Sequence, residues 1–219
     1  YSGLSPLMNQ LIDALFTHGY YVWDNFLTPD EVAELREHLP SEWNKARIGR
    51  SEEAIREASI RSDKIQWLEP TMGKSVESFL DRMEEIRLET NRHFFLGLFE
   101  FEAHFAKYEQ GDFYQKHLDS FQHNRNRRLT IVFYLNDDWQ ESDGGELVVY
   151  DLDDNLLTKI SPQAGRLAVF FSEQFPHEVL PANRKRYSIA GWFRVNGVTE
   201  NHLDIANWFN EKLTSKHAG

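Results

Sequence analysis

No cysteine occurs anywhere in the 219 residues. That excludes a disulfide framework and a thiolate zinc site, and it fits a reducing compartment, so a cytoplasmic location is expected. Long apolar runs are missing too. Nothing approaches the roughly 18 consecutive apolar residues of a membrane-spanning helix, and no membrane partner is expected. Positive charge is scarce: 24 Lys and Arg stand against 35 Asp and Glu, for a net charge of -11. Phosphates repel so acidic a chain, which makes it a poor general binder of DNA or RNA. Internal repeats and low-complexity tracts are absent. The sequence opens on Tyr1 rather than on methionine, as a trimmed chain would.

What is abundant is aromatic: 16 Phe and 6 Trp supply a bulky core. The length suits a single domain over 1–219, as a monomer or weak dimer. The first part reads as helical support over 1–99. Leu7, Met8, Leu11, Ile12, Leu15 and Phe16 form a helical stripe within Leu4 to Thr17. Tyr20 to Phe26 reads as a short strand. Thr28-Pro29-Asp30-Glu31 is a helix start, with Thr as cap, Pro in the first turn and Glu31 closing a capping box; that helix runs to about Leu39. A charged stretch at about 41–62 is expected to be a mobile loop, and Lys64 to Leu68 a strand. Ser75 to about Phe99 reads as one long helix, with Val76, Phe79, Leu80, Met83 and Ile86 on one face.

From residue 100 the pattern turns to period two. "FEAHFAKYE", "LTIVFYL", "ELVVY", "LAVFF" and "YSIAGWFRV" read as strands separated by turn-rich segments. So many short strands predict an α+β chain with a sandwich or jelly-roll core over 100–197. An amphipathic helix, with Leu203, Ile205, Trp208 and Phe209 as its apolar positions, is expected within 198–219.

Chemistry concentrates in "YQKHLDSFQHNR", from Tyr114 to Arg125. On an extended chain His117 and Asp119 point to the same face. An imidazole and a carboxylate there suit Fe(II), Mn(II), Co(II) or Zn(II). A His-x-Asp recurs by chance, and alone it reads as the polar end of a strand. His177, 58 residues beyond Asp119, is the candidate third ligand. Two histidines and a carboxylate make a facial triad with three positions left open. Arg186 lies nine residues further on. In "RKRYSIAGWFRV", Arg186, Ser188, Ala190 and Trp192 alternate onto one face: a two-pronged cation, two small residues and a flat wall, suited to a small dicarboxylate. "LTIVFYL" puts Thr130, Val132 and Tyr134 on a face fit to line a polar pocket, and Leu129, Ile131, Phe133 and Leu135 on a core face.

Together, "YxxHxD…YLNDDW…GGEL…FPHEVxPAxxxRYSIAGWF" resembles the prolyl-hydroxylase-domain branch of the Fe(II)- and 2-oxoglutarate-dependent oxygenases, which includes the animal oxygen-sensing enzymes and bacterial prolyl 4-hydroxylase-like relatives. The likeness covers roughly residues 60 to 195 and begins at "RSDKIQWLE". It implies a cupin-like double-stranded β-helix. By position, His117, Asp119 and His177 match the iron ligands, and Arg186 the grip on the distal carboxylate of 2-oxoglutarate. Tyr134 matches its hydrogen-bonding helper, with Tyr108, Thr130 and Trp192 on the cosubstrate pocket. Tyr114, Arg127, Trp192 and Leu147 match the substrate side. The implied cofactors are Fe(II), 2-oxoglutarate and dioxygen, with ascorbate in support. The implied partner is a protein with an exposed proline loop, with elongation factor Tu first in line. His123 reads as a bystander, and the run from His123 to Arg128 as either a contact for an acidic partner or, Arg127 apart, a solvated edge. Residues 41–60 depart from the animal sequences, which leaves the substrate open. A small molecule or a different side chain as substrate is the first alternative, and a metal-holding module without turnover the second.

Overall fold

The computed structural model describes residues 5–45, 60–120 and 124–196. The expected C-terminal helix, most of the 41–62 loop and His123 lie outside them. The chain begins with α1 (Pro6–Thr17), β1 (Tyr20–Trp23) and α2 (Pro29–Arg36). Next come β2 (Asn44–Lys45), β3 (Lys64–Trp67) and the long helix α3 (Lys74–Phe94). The β-rich part holds β4 (Leu98–Tyr108), β5 (Tyr114–His117), β6 (Arg127–Tyr134) and β7 (Leu147–Tyr150). It ends with β8 (Leu156–Ile160), β9 (Leu167–Phe171), β10 (His177–Val179) and β11 (Arg186–Val195). Among the described residues no helix is long and apolar enough to cross a membrane.

The strands form two antiparallel sheets of a jelly roll. The larger runs β1-β9-β6-β11-β4-β3-β2 and the smaller β5-β10-β7-β8. Period-two alternation sorts the central strands onto two faces. Leu129, Ile131, Phe133, Leu167, Val169, Ile189 and Phe193 face outward and are buried with the helices. Ala106, Tyr108, Tyr134, Ala168 and Phe170 face inward and pack with Leu147, Val149, Ile160 and Val179 of the smaller sheet. Thus one sheet carries two cores, and the inner one frames the pocket.

Helix α2 starts as the sequence predicts. Thr28 accepts from the Glu31 N–H at 3.3 Å, and Glu31 accepts from the Thr28 N–H at 3.0 Å. Along α3, Val76, Phe79, Met83 and Ile86 are almost wholly buried. Each such side chain contributes about 1.5–3 kcal/mol by leaving water. The helix is shorter than the periodicity suggests: it stops at Phe94, not near Phe99. Phe95 takes a left-handed turn at φ 52° and Gly97 follows at φ 67°. The Asn91 side chain then bonds both the N–H and the carbonyl of Leu98, at 2.7 and 2.9 Å, and Arg87 reaches the same carbonyl at 2.7 Å. Those bonds turn the chain into β4, so Leu98 begins a strand. On the outer face Gly191 is required by contact: a Cβ there would stand 2.5 Å from the Phe101 ring.

Candidate active site

The pocket lies between the two sheets, with β11 as its floor. Arg186, Ser188, Ala190 and Trp192 all line it, as their alternation predicts, and Thr130 and Val132 of β6 stand beside them. Leu147 and Val179 of the smaller sheet close the apolar side. The space enclosed is about 480 Å³, open mouth included. That is room for a small dicarboxylate and one substrate side chain.

His117 ends β5, Asp119 follows it, and His177 begins β10, paired directly with His117 across the sheet. Their ligand atoms all lie within 4.8 Å of one another. Both rings are held the same way. The Nδ1 of His117 donates to the Gln115 carbonyl at 2.7 Å, and that of His177 to the Phe175 carbonyl at 2.9 Å. A carbonyl can only accept, so each Nδ1 carries its proton and each Nε2 faces inward as a ligand atom. Those Nε2 atoms stand 3.3 and 3.4 Å from Asp119 Oδ1. Burial works against the charge on Asp119, but His177 and the hydrogen bonds from both rings outweigh it and hold the carboxyl well below its ordinary range. Burial, joined by the charge of His177, lowers His117. Burial also works to lower His177, but Asp119 outweighs it and raises the ring.

Arg186 is 1% exposed. Its Nε donates to the Gly145 carbonyl at 2.8 Å, and its guanidinium lies 5.0 and 5.2 Å from the Tyr108 and Tyr134 rings. Gly145, at φ 68°, is where the double glycine earns its place: a Cβ would press on Ala182, Trp139 and Arg186 at 2.9 to 3.2 Å. Two buried polar atoms here, Arg186 Nη2 and Tyr134 Oη, have no hydrogen-bond partner among the described residues. A buried, incompletely bonded cation is costly unless an anion arrives. A carboxylate satisfies both atoms, so these residues fit 2-oxoglutarate, as the imidazole–carboxylate cluster fits a divalent iron.

The remaining expected residues fall as follows. The Tyr114 ring stacks on His117 at 3.8 Å and 13°. Leu147 and Tyr108 line the pocket. Arg127 does not: it lies 3.8 Å over the Trp192 ring, behind the wall. Tyr134 also stands behind the lining, against Arg186. The Thr130 hydroxyl is turned to Asp119 at 2.8 Å.

Three polar lining residues, Arg61, Asp63 and His104, escaped the sequence reading. Arg61 sits 4.2 Å over Tyr114 and grips Asp63 with two bonds of 2.6 and 2.7 Å, so its cation backs the Tyr114–His117 stack. The third is His104, between Trp67 and Trp192 at 5.1 and 5.4 Å. It shares the inward face of β4 with Ala106 and Tyr108, and that alternation was the signal available. Burial, joined by the Arg61 charge, lowers His104 to about 4; Asp63 opposes and Arg127 adds to the shift. An unfolded chain takes up this proton near pH 6.5, the folded one only near 4. Stability therefore falls as pH drops through that window, by up to about 3 kcal/mol. Urea midpoints at pH 7 and 4.5 check this: the parent should lose more stability on acidification than His104→Gln.

Residues 103–194 match the 2OG-Fe(II) oxygenase superfamily. The crystal structure of a Pseudomonas putida prolyl-4-hydroxylase is 40% identical and superposes with a TM-score of 0.76, over 87% of this chain and 100% of that one. A Trichoplax adhaerens prolyl hydroxylase, solved with a hypoxia inducible factor peptide fragment, is 27% identical with a TM-score of 0.74, over 86% and 89% of the two chains. Human Egl nine homolog 1 is 27% identical over 203 residues, 87% of this chain and 47% of that protein. A Caenorhabditis elegans hypoxia-inducible factor prolyl hydroxylase is 27% identical over 87% of this chain and 28% of its own length. The chain thus spans about half or less of these two curated relatives. Its inward-facing histidines and carboxylate, its buried arginine and its jelly roll are what such relatives lead one to expect, and the chain belongs to the 2-oxoglutarate- and Fe(II)-dependent oxygenase family, among its prolyl-hydroxylase-like members.

Proposed function

We propose that this chain is an Fe(II)- and 2-oxoglutarate-dependent dioxygenase that hydroxylates a prolyl residue of a protein. One observation carries the reading: a buried, incompletely bonded arginine lines the same pocket as two imidazoles and a carboxylate. A module that only holds metal has no use for that cation. His117, Asp119 and His177 would hold the iron and leave three positions open. When bound, the iron and its cosubstrate supply the oxidising chemistry, with succinate and carbon dioxide as by-products.

The chain's own residues bind and orient. Arg186 takes the distal carboxylate of 2-oxoglutarate through charge-assisted bonds. Burial raises both Tyr134 and Tyr108, so both hydroxyls keep their protons, and Tyr134 donates to the same carboxylate. Ser188 and Ala190 leave room for the carbon chain. Leu147 and Val179 keep water out, which strengthens every polar contact inside. Trp192, held by Arg127, and Tyr114, held by Arg61, form the walls toward the substrate.

Likeness to prolyl hydroxylases, one of them solved with a peptide, supports a protein substrate offering an exposed proline loop. Elongation factor Tu is the substrate we put first, by resemblance to small bacterial members, with a cytoplasmic setting and ascorbate as supporting reductant. The test is a reaction with Fe(II), 2-oxoglutarate and air, with and without that protein. Oxygen-dependent succinate release and a one-oxygen mass gain on a prolyl peptide are expected. Succinate release without protein modification overturns the substrate; no release under any condition overturns the reaction.

A further inference from the structure

We infer that Thr130 and Ser172 form a one-way hydroxyl relay that makes Asp119 a single-oxygen ligand. The inference rests on the metal-site reading above. Asp119 is 4% exposed, and its two oxygens meet different surroundings. Oδ1 faces the Nε2 atoms of His117 and His177. Oδ2 lies 2.8 Å from Thr130 Oγ1, which lies 2.8 Å from Ser172 Oγ. Thr130 and Ser172 are 1% and 0% exposed.

Proton counting sets the direction. An ionised carboxylate only accepts, so the single Thr130 proton goes to Oδ2. The proton between the two hydroxyls must then come from Ser172. The order is Ser172 to Thr130 to Asp119, with no freedom to reverse. The backbone holds the same register. Thr130 pairs with Phe170 on β9 and with Trp192 on β11. The Ser172 N–H donates to the Arg128 carbonyl at 3.0 Å, and the Ser172 carbonyl accepts from the Ser120 N–H at 3.4 Å. Both hydroxyl bearers are therefore fixed by the large sheet, while the carboxylate they hold sits at the end of the small one.

With Oδ2 occupied, the carboxylate presents one atom, as each imidazole does. A carboxylate free to turn can bind a metal through both oxygens and fill a position the cosubstrate needs. Thr130 is thus a positioning residue: it keeps the number of open positions at three. This task differs from the direct cosubstrate contact expected from the sequence.

The experiment loads Co(II), as the probe, into the full chain and into Thr130→Val, Thr130→Ser and Ser172→Ala. Titration gives the affinity. The visible ligand-field bands, which weaken as coordination number rises, report the donor set. Thr130→Val should lower Co(II) affinity by about 10- to 100-fold, the range for supporting partners of metal ligands, and shift the bands as the donor set changes. Thr130→Ser should restore both. Ser172→Ala should give a smaller shift in the same direction, and it carries the test if Thr130→Val folds poorly. Variants that lose thermal stability but keep the parent's affinity and bands overturn the relay alone. A parent chain that binds no Co(II) overturns the metal-site reading along with it.

Discussion

Asp119→Ala is expected to cost more than about 100-fold in metal affinity and to reduce succinate formation to background. Loss of a mere supporting partner already costs 10- to 100-fold. Asp119 is more than that: its Oδ1 is the one anionic atom standing between the two Nε2 atoms. Without it two neutral imidazoles remain, a pair that binds a hard divalent ion weakly. Mn(II) titration calorimetry, run beside the succinate assay, checks the prediction. The fold should survive, because Leu129, Ile131 and Phe133 pack on the opposite face of the large sheet. Wild-type affinity in Asp119→Ala would sink the assignment of all three ligands.

Arg186→Met is expected to do two things of opposite sign. Removing one partner of a buried, hydrogen-bonded charge pair costs about 2–5 kcal/mol, so the KM for 2-oxoglutarate should rise by roughly 30-fold to a few thousandfold. The cosubstrate-free protein should hold its stability or gain some, since a buried cation without a full set of partners is replaced by a side chain at home in an apolar site. The lost bond to the Gly145 carbonyl tempers that gain. Thermal melts without and with saturating 2-oxoglutarate separate the two effects. The parent should be raised by the cosubstrate and Arg186→Met should not. An unchanged KM would mean that the anion binds elsewhere.

Much of this site was legible because alternation along a strand survives in the sequence. Arg186, Ser188, Ala190 and Trp192 appear as every second residue of β11 and line one pocket. The core face of β6 was legible for the same reason. Other features were hidden for physical causes. Strands β5, β8 and β10 have 4, 5 and 3 residues, too few for a period to show. The end of α3 is set by Asn91 and Arg87 reaching Leu98, a bond pattern no hydrophobic stripe records. Arg61 draws its meaning from Tyr114, 53 positions away. Thr130 looked like a pocket hydroxyl; its bonds to Asp119, 11 residues back, and to Ser172, 42 residues on, depend on strand pairing that no local pattern records.

The pairing of His117 with His177 has a consequence in time. These strands are distant in sequence, and closing such non-local contacts is the slow part of folding for β-rich chains. Until β5 and β10 pair within the small sheet, His177 stands apart from His117 and Asp119. The three ligand atoms are therefore expected to come together only once that pairing is made.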